Sequence, residues 1–149
     1  MKYTKTKEIL NQAVADLTQL IMITRQQHWY MRGPNFLKLH PYLDDVMDEL
    51  DEQRDLISER LITIDGSPYS SLSEVLKHTK LEDKPGEWGI STKDRFKTII
   101  ADYHLTKEAA LNEELNYSHY KADTNTWKQY IDGSADIIIK WLKDLYEYT

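Results

Sequence analysis

The sequence predicts an all-α protein, a four-helix bundle with a short extra helix in the long connection between helices 2 and 3. Three observations predict it. Apolar residues recur at three- and four-residue spacing in four separate runs. Only five glycines and four prolines punctuate 149 residues, of which 30% are charged, a balance suited to long helices. No stretch sustains the two-residue alternation of a half-buried strand.

Each element has its own signals. Leu10, Val14, Leu17, Ile21, Thr24 and His28 form one amphipathic stripe, which ends at the break Arg32-Gly33-Pro34-Asn35. Asn35 is a suitable N-cap for a second helix reaching Ile64, with Leu39, Leu43, Val46, Leu50, Ile57, Leu61 and Ile64 as its core face. Asp65-Gly66-Ser67-Pro68 closes that helix with a glycine and a proline. Ser71 and Glu74 have capping-box spacing and open a short helix, with Leu72, Val75 and Leu76 on one side. Residues 80–89 read as loop. Ser91 with Asp94 starts a third long helix, supported by Phe96, Ile100, Tyr103, Ala110 and Leu111 and reaching about Tyr120. After a turn near Asp123, Trp127, Ile131, Ala135, Ile138, Leu142 and Leu145 make the fourth. The second-to-third connection must cross the bundle, which departs from simple up-down topology.

The bulk numbers bound the function. One domain, residues 1–149, is large enough to bury a core without staples. Cysteine is absent, which excludes disulfides and thiolate metal ligands and suits a reducing compartment. No signal peptide or membrane-length apolar run is present, so a cytoplasmic location is expected. A net charge of −6 opposes generic nucleic-acid binding, whose affinity rests on phosphate neutralisation, and favours attraction of cations.

The second helix carries a second stripe. His40, Asp44, Asp55 and Glu59 lie at about 0°, 40°, 60° and 100° around its axis, on one face beside the core face. His40 and Glu59 are nevertheless about 28 Å apart along the axis, so one chain cannot bring both ends to one metal. The pairs are mirrored about residues 49 and 50. An antiparallel copy related by a two-fold axis there would set His40 and Asp44 beside Asp55 and Glu59 of its mate, twice over. His28, at the end of the first stripe, joins the histidine end. Imidazole plus carboxylates suits iron, manganese or zinc. Without a metal or protons the carboxylates would repel one another at such an interface. The competing reading of Asp55 and Glu59 is a solvated acidic face, with Asp48, Asp51 and Glu52 nearby and Arg54 and Arg60 as partners. Paired Glu-x-x-His motifs, the mark of an intrasubunit di-iron bundle, are absent: Glu74 and His78 are four apart, and His104 and His119 have no Glu three residues earlier.

His28-Trp29-Tyr30-Met31-Arg32-Gly33-Pro34-Asn35-Phe36, then Leu39-His40, and later Asp55 and Glu59-Arg60-Leu61 with Gly66-Ser67-Pro68, resemble the Dps family, the ferritin-like DNA-protecting proteins of starved cells. The resemblance covers nearly the whole chain. It implies a ferritin-like bundle assembled as a hollow homo-dodecamer of two-three-two symmetry. It also implies a ferroxidase centre at each two-fold interface, with His28, His40 and Asp44 from one subunit and Asp55 and Glu59 from the other. The implied activity is oxidation of Fe(II), preferably by hydrogen peroxide, with storage of a ferric mineral and protection of DNA from oxidative damage. Zinc or manganese could substitute for iron in such a ligand set. Trp29, next to a ligand, could intercept stray oxidising equivalents; an aromatic packed at the interface is the plainer reading.

Two departures from the family pattern stand out. Lys2, Lys5 and Lys7 are the only basic residues before the first stripe, which together with the acidic balance argues against direct DNA coating. The family's acidic iron-entry pore near the start of the last helix has only Asp123 to match it in residues 121–126. The alternatives to an iron-detoxifying protein are a nucleoid-associated protein acting mainly by DNA compaction, and a bundle in which the stripe is structural or zinc-filled.

Overall fold

A computed structural model describes the backbone of residues 3–112 and the side chains of residues 3–106. Within them lie α1 (Thr4–Tyr30), α2 (Phe36–Thr63), α3 (Leu72–His78) and α4 (Thr92–Asn112), all helical and in the predicted order. The expected fourth long helix, from Trp127 to Leu145, and the segment 121–126 lie outside the described residues, as does the expected end of the third helix near Tyr120.

α1 is the hub, packed against α2, α4 and α3. The five-residue connection between α1 and α2 makes them antiparallel neighbours. In keeping with this, the end of α2 returns to the start of α1, where Gly66 approaches Lys7. The predicted α2 face, Leu39, Leu43, Val46, Leu50, Ile57, Leu61 and Ile64, is buried against Leu10, Val14, Leu17 and Leu20 of α1 and Phe96 and Ile99 of α4. A methylene removed from such a core loses transfer energy and leaves a void, so these contacts dominate the fold's stability.

The helix ends follow the expected chemistry with two corrections. Asn35 occupies the N-cap of α2 but makes no side-chain capping bond; its carbonyl accepts from Lys38 and Leu39 instead. At the other end of α2 the left-handed residue is Asp65 (φ 66°), not the glycine. Asp65 N–H donates to Ile62 and Gly66 N–H to Leu61 (2.7 Å), the paired bonds of a Schellman motif. Gly66 is required for space: a Cβ there would stand 2.9 Å from Leu61 Cδ2 and 3.0 Å from its carbonyl. The capping box of α3 is present in part. Ser71 Oγ accepts from Glu74 N–H, while Glu74 Oε1 accepts from Ser70 N–H and from Ser71 Oγ. Only Val75 of the expected α3 apolar side is buried; Leu72 and Leu76 stay 77% and 50% exposed.

The chain between α3 and α4 is the crossover, and α1 holds it by polar side chains. Gln12 Nε2 donates to His78 O (2.9 Å), Gln19 Nε2 to Glu82 O, and Gln26 Nε2 to Lys84 O (2.8 Å). Residues 12 to 26 span about 21 Å of helix, and residues 78 to 84 cover about 20 Å when extended, so strap and helix advance in step. Asp16, 1% exposed, accepts from Thr79 Oγ1, Lys80 N and Gln12 Nε2. Beyond the strap, Arg95 of α4 is fully buried and donates to Gln27 Oε1 (2.8 Å) and Glu87 O (2.7 Å). The crossover thus delivers the start of α4 to the α1–α2 turn, where Thr92 Oγ1 donates to Arg32 O (3.3 Å).

The strap ends in an aromatic clasp. The Tyr30 and Trp88 rings lie 4.4 Å apart, and the Arg32 guanidinium sits 4.1 Å over Trp88. A Cβ on Gly86 would stand 2.3–2.7 Å from three atoms of the Tyr30 ring. Gly86→Ala is therefore expected to destabilise the protein by about 1–3 kcal/mol, as overpacking does. Thermal unfolding checks this, and Tyr30→Leu should recover part of the loss in the double variant. An unchanged melting temperature for Gly86→Ala would contradict the clasp.

Candidate metal centre

The α1 stripe ends in His28, 5% exposed, in the last turn of the helix, which stops at Tyr30. The chain then reverses through residues 31–35, where Gly33 takes φ 134°, a conformation that side chains strongly disfavour. His40 follows in the second turn of α2, and Asp44 lies one turn further on, on the same face. This hairpin of helices brings His28 of α1 beside His40 and Asp44 of α2.

The two imidazoles are stacked, with centroids 3.6 Å apart and planes at 17°, and Phe36 covers the outer face of His40 at 4.4 Å. Each ring is also tied to the other's backbone. His28 Nδ1 bonds to His40 O (2.6 Å) and His40 Nδ1 to His28 O (2.8 Å). A carbonyl can only accept, so Nδ1 carries the proton in both rings. The His28 carbonyl belongs to the last turn of α1, where carbonyls lack helical partners, so His40 caps the helix. Each Nε2 is left as the nitrogen free to ligate, the arrangement that metal-binding histidines ordinarily show.

Burial holds the His28 imidazole below its ordinary value, against the opposing pull of the His40 carbonyl and the Asp44 carboxylate. The ring is thus neutral at neutral pH, with a lone pair on Nε2. That atom stands 3.5 Å from Asp44 Oδ1. Two lone-pair atoms facing each other call for a proton or a cation between them. A metal about 2.1 Å from each would subtend an angle of about 110°, within the range of ordinary coordination. Arg25 Nη1 donates to the same Asp44 oxygen at 3.1 Å.

Asp55 and Glu59 are not part of this group within the chain. Both are exposed on α2, about 16 Å and 22 Å along the axis from Asp44. Among the described residues, no three His, Asp or Glu side chains are gathered closely enough to hold a metal. Asp55 instead lines an open groove of about 710 Å³ between α2 and α3, with Asp48, Asp51, Glu52 and Tyr69. Of the basic residues beside the acidic stripe, Arg54 pairs with Asp51, and Arg60 Nη1 donates to Thr63 Oγ1. Trp29 is 59% exposed on this chain. Lys5 and Lys7 both lie within α1, and Lys5 pairs with Glu8 at 3.5 Å.

Sequence reasoning missed Arg25 and the reciprocal histidine bonds. Arg25 precedes His28 by three residues, one helical turn, and that spacing was the available signal. The backbone bonds left no such signal, because they depend on how α1 and α2 are set against each other.

Among the described residues, no helix is long and apolar enough to cross a membrane. The ferritin-like domain family matches residues 7–126. The DNA protection during starvation protein of Streptococcus suis is 40% identical over 95 residues, which cover 64% of this chain and 55% of that protein. The chain therefore spans about half the length of that relative. The protein of the same name from Helicobacter pylori is 32% identical over 105 residues, covering 70% of this chain and 72% of the relative. The X-ray structure of Dps from Listeria monocytogenes superposes with a TM-score of 0.87 at 33% identity, covering 94% of this chain and 92% of that one. The all-α architecture, the crossover with its short helix and these matches agree: the chain belongs to the Dps family of ferritin-like proteins, with a ferritin-like four-helix bundle as its fold.

Proposed function

We propose that this protein detoxifies and stores iron, oxidising Fe(II) at a centre shared between two subunits. His28, His40 and Asp44 of one subunit bind the incoming ion, and Asp55 and Glu59 of the partner subunit complete the ligand set. The observation that carries the proposal is the half-built site: two imidazoles locked by reciprocal backbone bonds, with His28 Nε2 facing Asp44 Oδ1 at 3.5 Å. The mirrored spacing on α2 supplies the other half only across a two-fold axis. The exposed Leu72 and Leu76 of α3 give that interface apolar surface to cover. The assembly is a cytoplasmic homo-dodecamer with a mineral core.

The chemistry follows from the ligands. Hard carboxylates favour Fe(III) over Fe(II), which lowers the cost of removing an electron. Two Fe(II) ions give one electron each to one hydrogen peroxide; its O–O bond breaks and, with two protons, two waters leave. No hydroxyl radical is released, which protects DNA nearby. A −6 charge on each copy and the helical placement of Lys5 and Lys7 speak against direct coating of DNA. DNA compaction is thus the weaker reading, and a mobility shift across a salt series separates the two.

Subunit mixing tests the shared centre. Asp55→Ala and His28→Ala homo-oligomers are each expected to oxidise Fe(II) slowly with peroxide. Dissociated and reassembled together, they should regain up to about a quarter of the intact centres, since one interface arrangement in four pairs all native ligands. No recovery from properly mixed oligomers would place all the ligands within one chain.

A further inference from the structure

We propose that Arg25 is a built-in counter-cation that competes with the incoming metal ion for Asp44. The proposal rests on the centre described above and adds to it a positioning residue that acts through Asp44. Arg25 and His28 are three residues apart on α1 and reach the same oxygen of α2. Arg25 Nη1 donates to Asp44 Oδ1 at 3.1 Å, and His28 Nε2 faces that oxygen at 3.5 Å. The metal side of Asp44 and its guanidinium side are therefore two lone pairs of one atom.

The competitor is a guanidinium, and that decides its behaviour. A histidine in this place could yield to a metal by losing its proton. Arginine keeps its charge at any pH the protein meets, so it yields only by moving away or sliding to Oδ2. Before metal binds, Arg25 neutralises Asp44, so the carboxylates converging on the two-fold interface repel one another less. When a divalent ion enters between His28 and Asp44, it must displace the guanidinium from the oxygen they share, and that displacement opposes its retention. The centre thus binds its ion strongly enough to react and weakly enough to pass it on. Arg25 is about one-third exposed on this chain and Asp44 half exposed, so the guanidinium has room to withdraw.

Titration of the metal-free assembled protein with Zn(II), which cannot be oxidised, reads this directly by calorimetry. Arg25→Gln is expected to bind Zn(II) about tenfold more tightly, and Arg25→Lys, which keeps the charge, to stay within about threefold of the native protein. Damage to the fold would weaken binding, so a gain cannot come from it. In an Asp44→Ala background the Arg25→Gln gain should vanish. Unchanged or weaker binding by Arg25→Gln overturns the proposal, as does a gain that survives Asp44→Ala. His40→Ala separates the two levels. If native zinc binding is indifferent to His40, the centre itself is misassigned. If it depends on His40 and yet ignores Arg25→Gln, only the competition is wrong.

Discussion

Replacing both His28 and His40 with alanine is expected to slow peroxide-driven Fe(II) oxidation by at least about 100-fold, while the protein keeps its helical content and assembled size. The loss is large because both ligating nitrogens go together with the devices that orient them. Each imidazole is held by a carbonyl of the other residue and by the face of the other ring. Either single replacement should therefore cost nearly as much as the pair, since the surviving ring loses its stacking partner. Assembly should survive because α1 and α2 are joined mainly by the apolar core from Leu10 to Leu61. Initial rates from stopped-flow absorbance, with size exclusion as the control, measure both halves of the statement. Native initial rates in the double variant would remove His28 and His40 from the centre.

The second large effect is on the fold. Asp16→Ala is expected to destabilise the protein by about 2–4 kcal/mol and to open the strap first. Asp16 is buried and its carboxylate collects three donors, among them the backbone N–H of Lys80. Alanine would leave the Thr79 hydroxyl and the Lys80 N–H without this acceptor in a part-buried setting, which costs more than the bonds themselves contribute, while Gln12 Nε2 keeps the His78 carbonyl. Asp16→Asn keeps an accepting oxygen for Thr79 and Lys80 and should cost distinctly less. Hydrogen exchange localises the effect: amides of residues 79–84 should exchange faster in Asp16→Ala, ahead of those in α2. A strap as protected as in the native protein would mean that Gln12, Gln19 and Gln26 suffice to hold it. Because α4 begins where the strap ends, its loosening should also disturb the α1–α2 turn beside the histidines.

Much of the fold could be read from local pattern. Every residue of the expected α2 core face is buried, because a helix that must bury one side repeats apolar positions at its own period; Met47 and Gln53 are buried beside them without having been expected. The ends were less legible. Asn35 and Gly66 have the residue types of a cap and a stop, yet Asn35 caps with its carbonyl, and Asp65 takes the left-handed turn while Gly66 is there for space beside Leu61. Leu72 and Leu76 match a helix period as Val75 does, but periodicity does not say whether the covering surface belongs to the same chain.

The centre divides along the same line. By itself the sequence determined the residue types of the proposed ligand set, their placement on one face of α2 and the mirrored spacing that no single chain can close, because helical geometry turns residue numbers into angles and distances. Only the tertiary structure decided which nitrogen of each histidine is free, that Arg25 and His28 meet at one oxygen of Asp44, and that buried Asp16 and Arg95 anchor the crossover. Those facts depend on the angle and register at which separate elements meet. Packing sets them, and no periodicity along the chain records it.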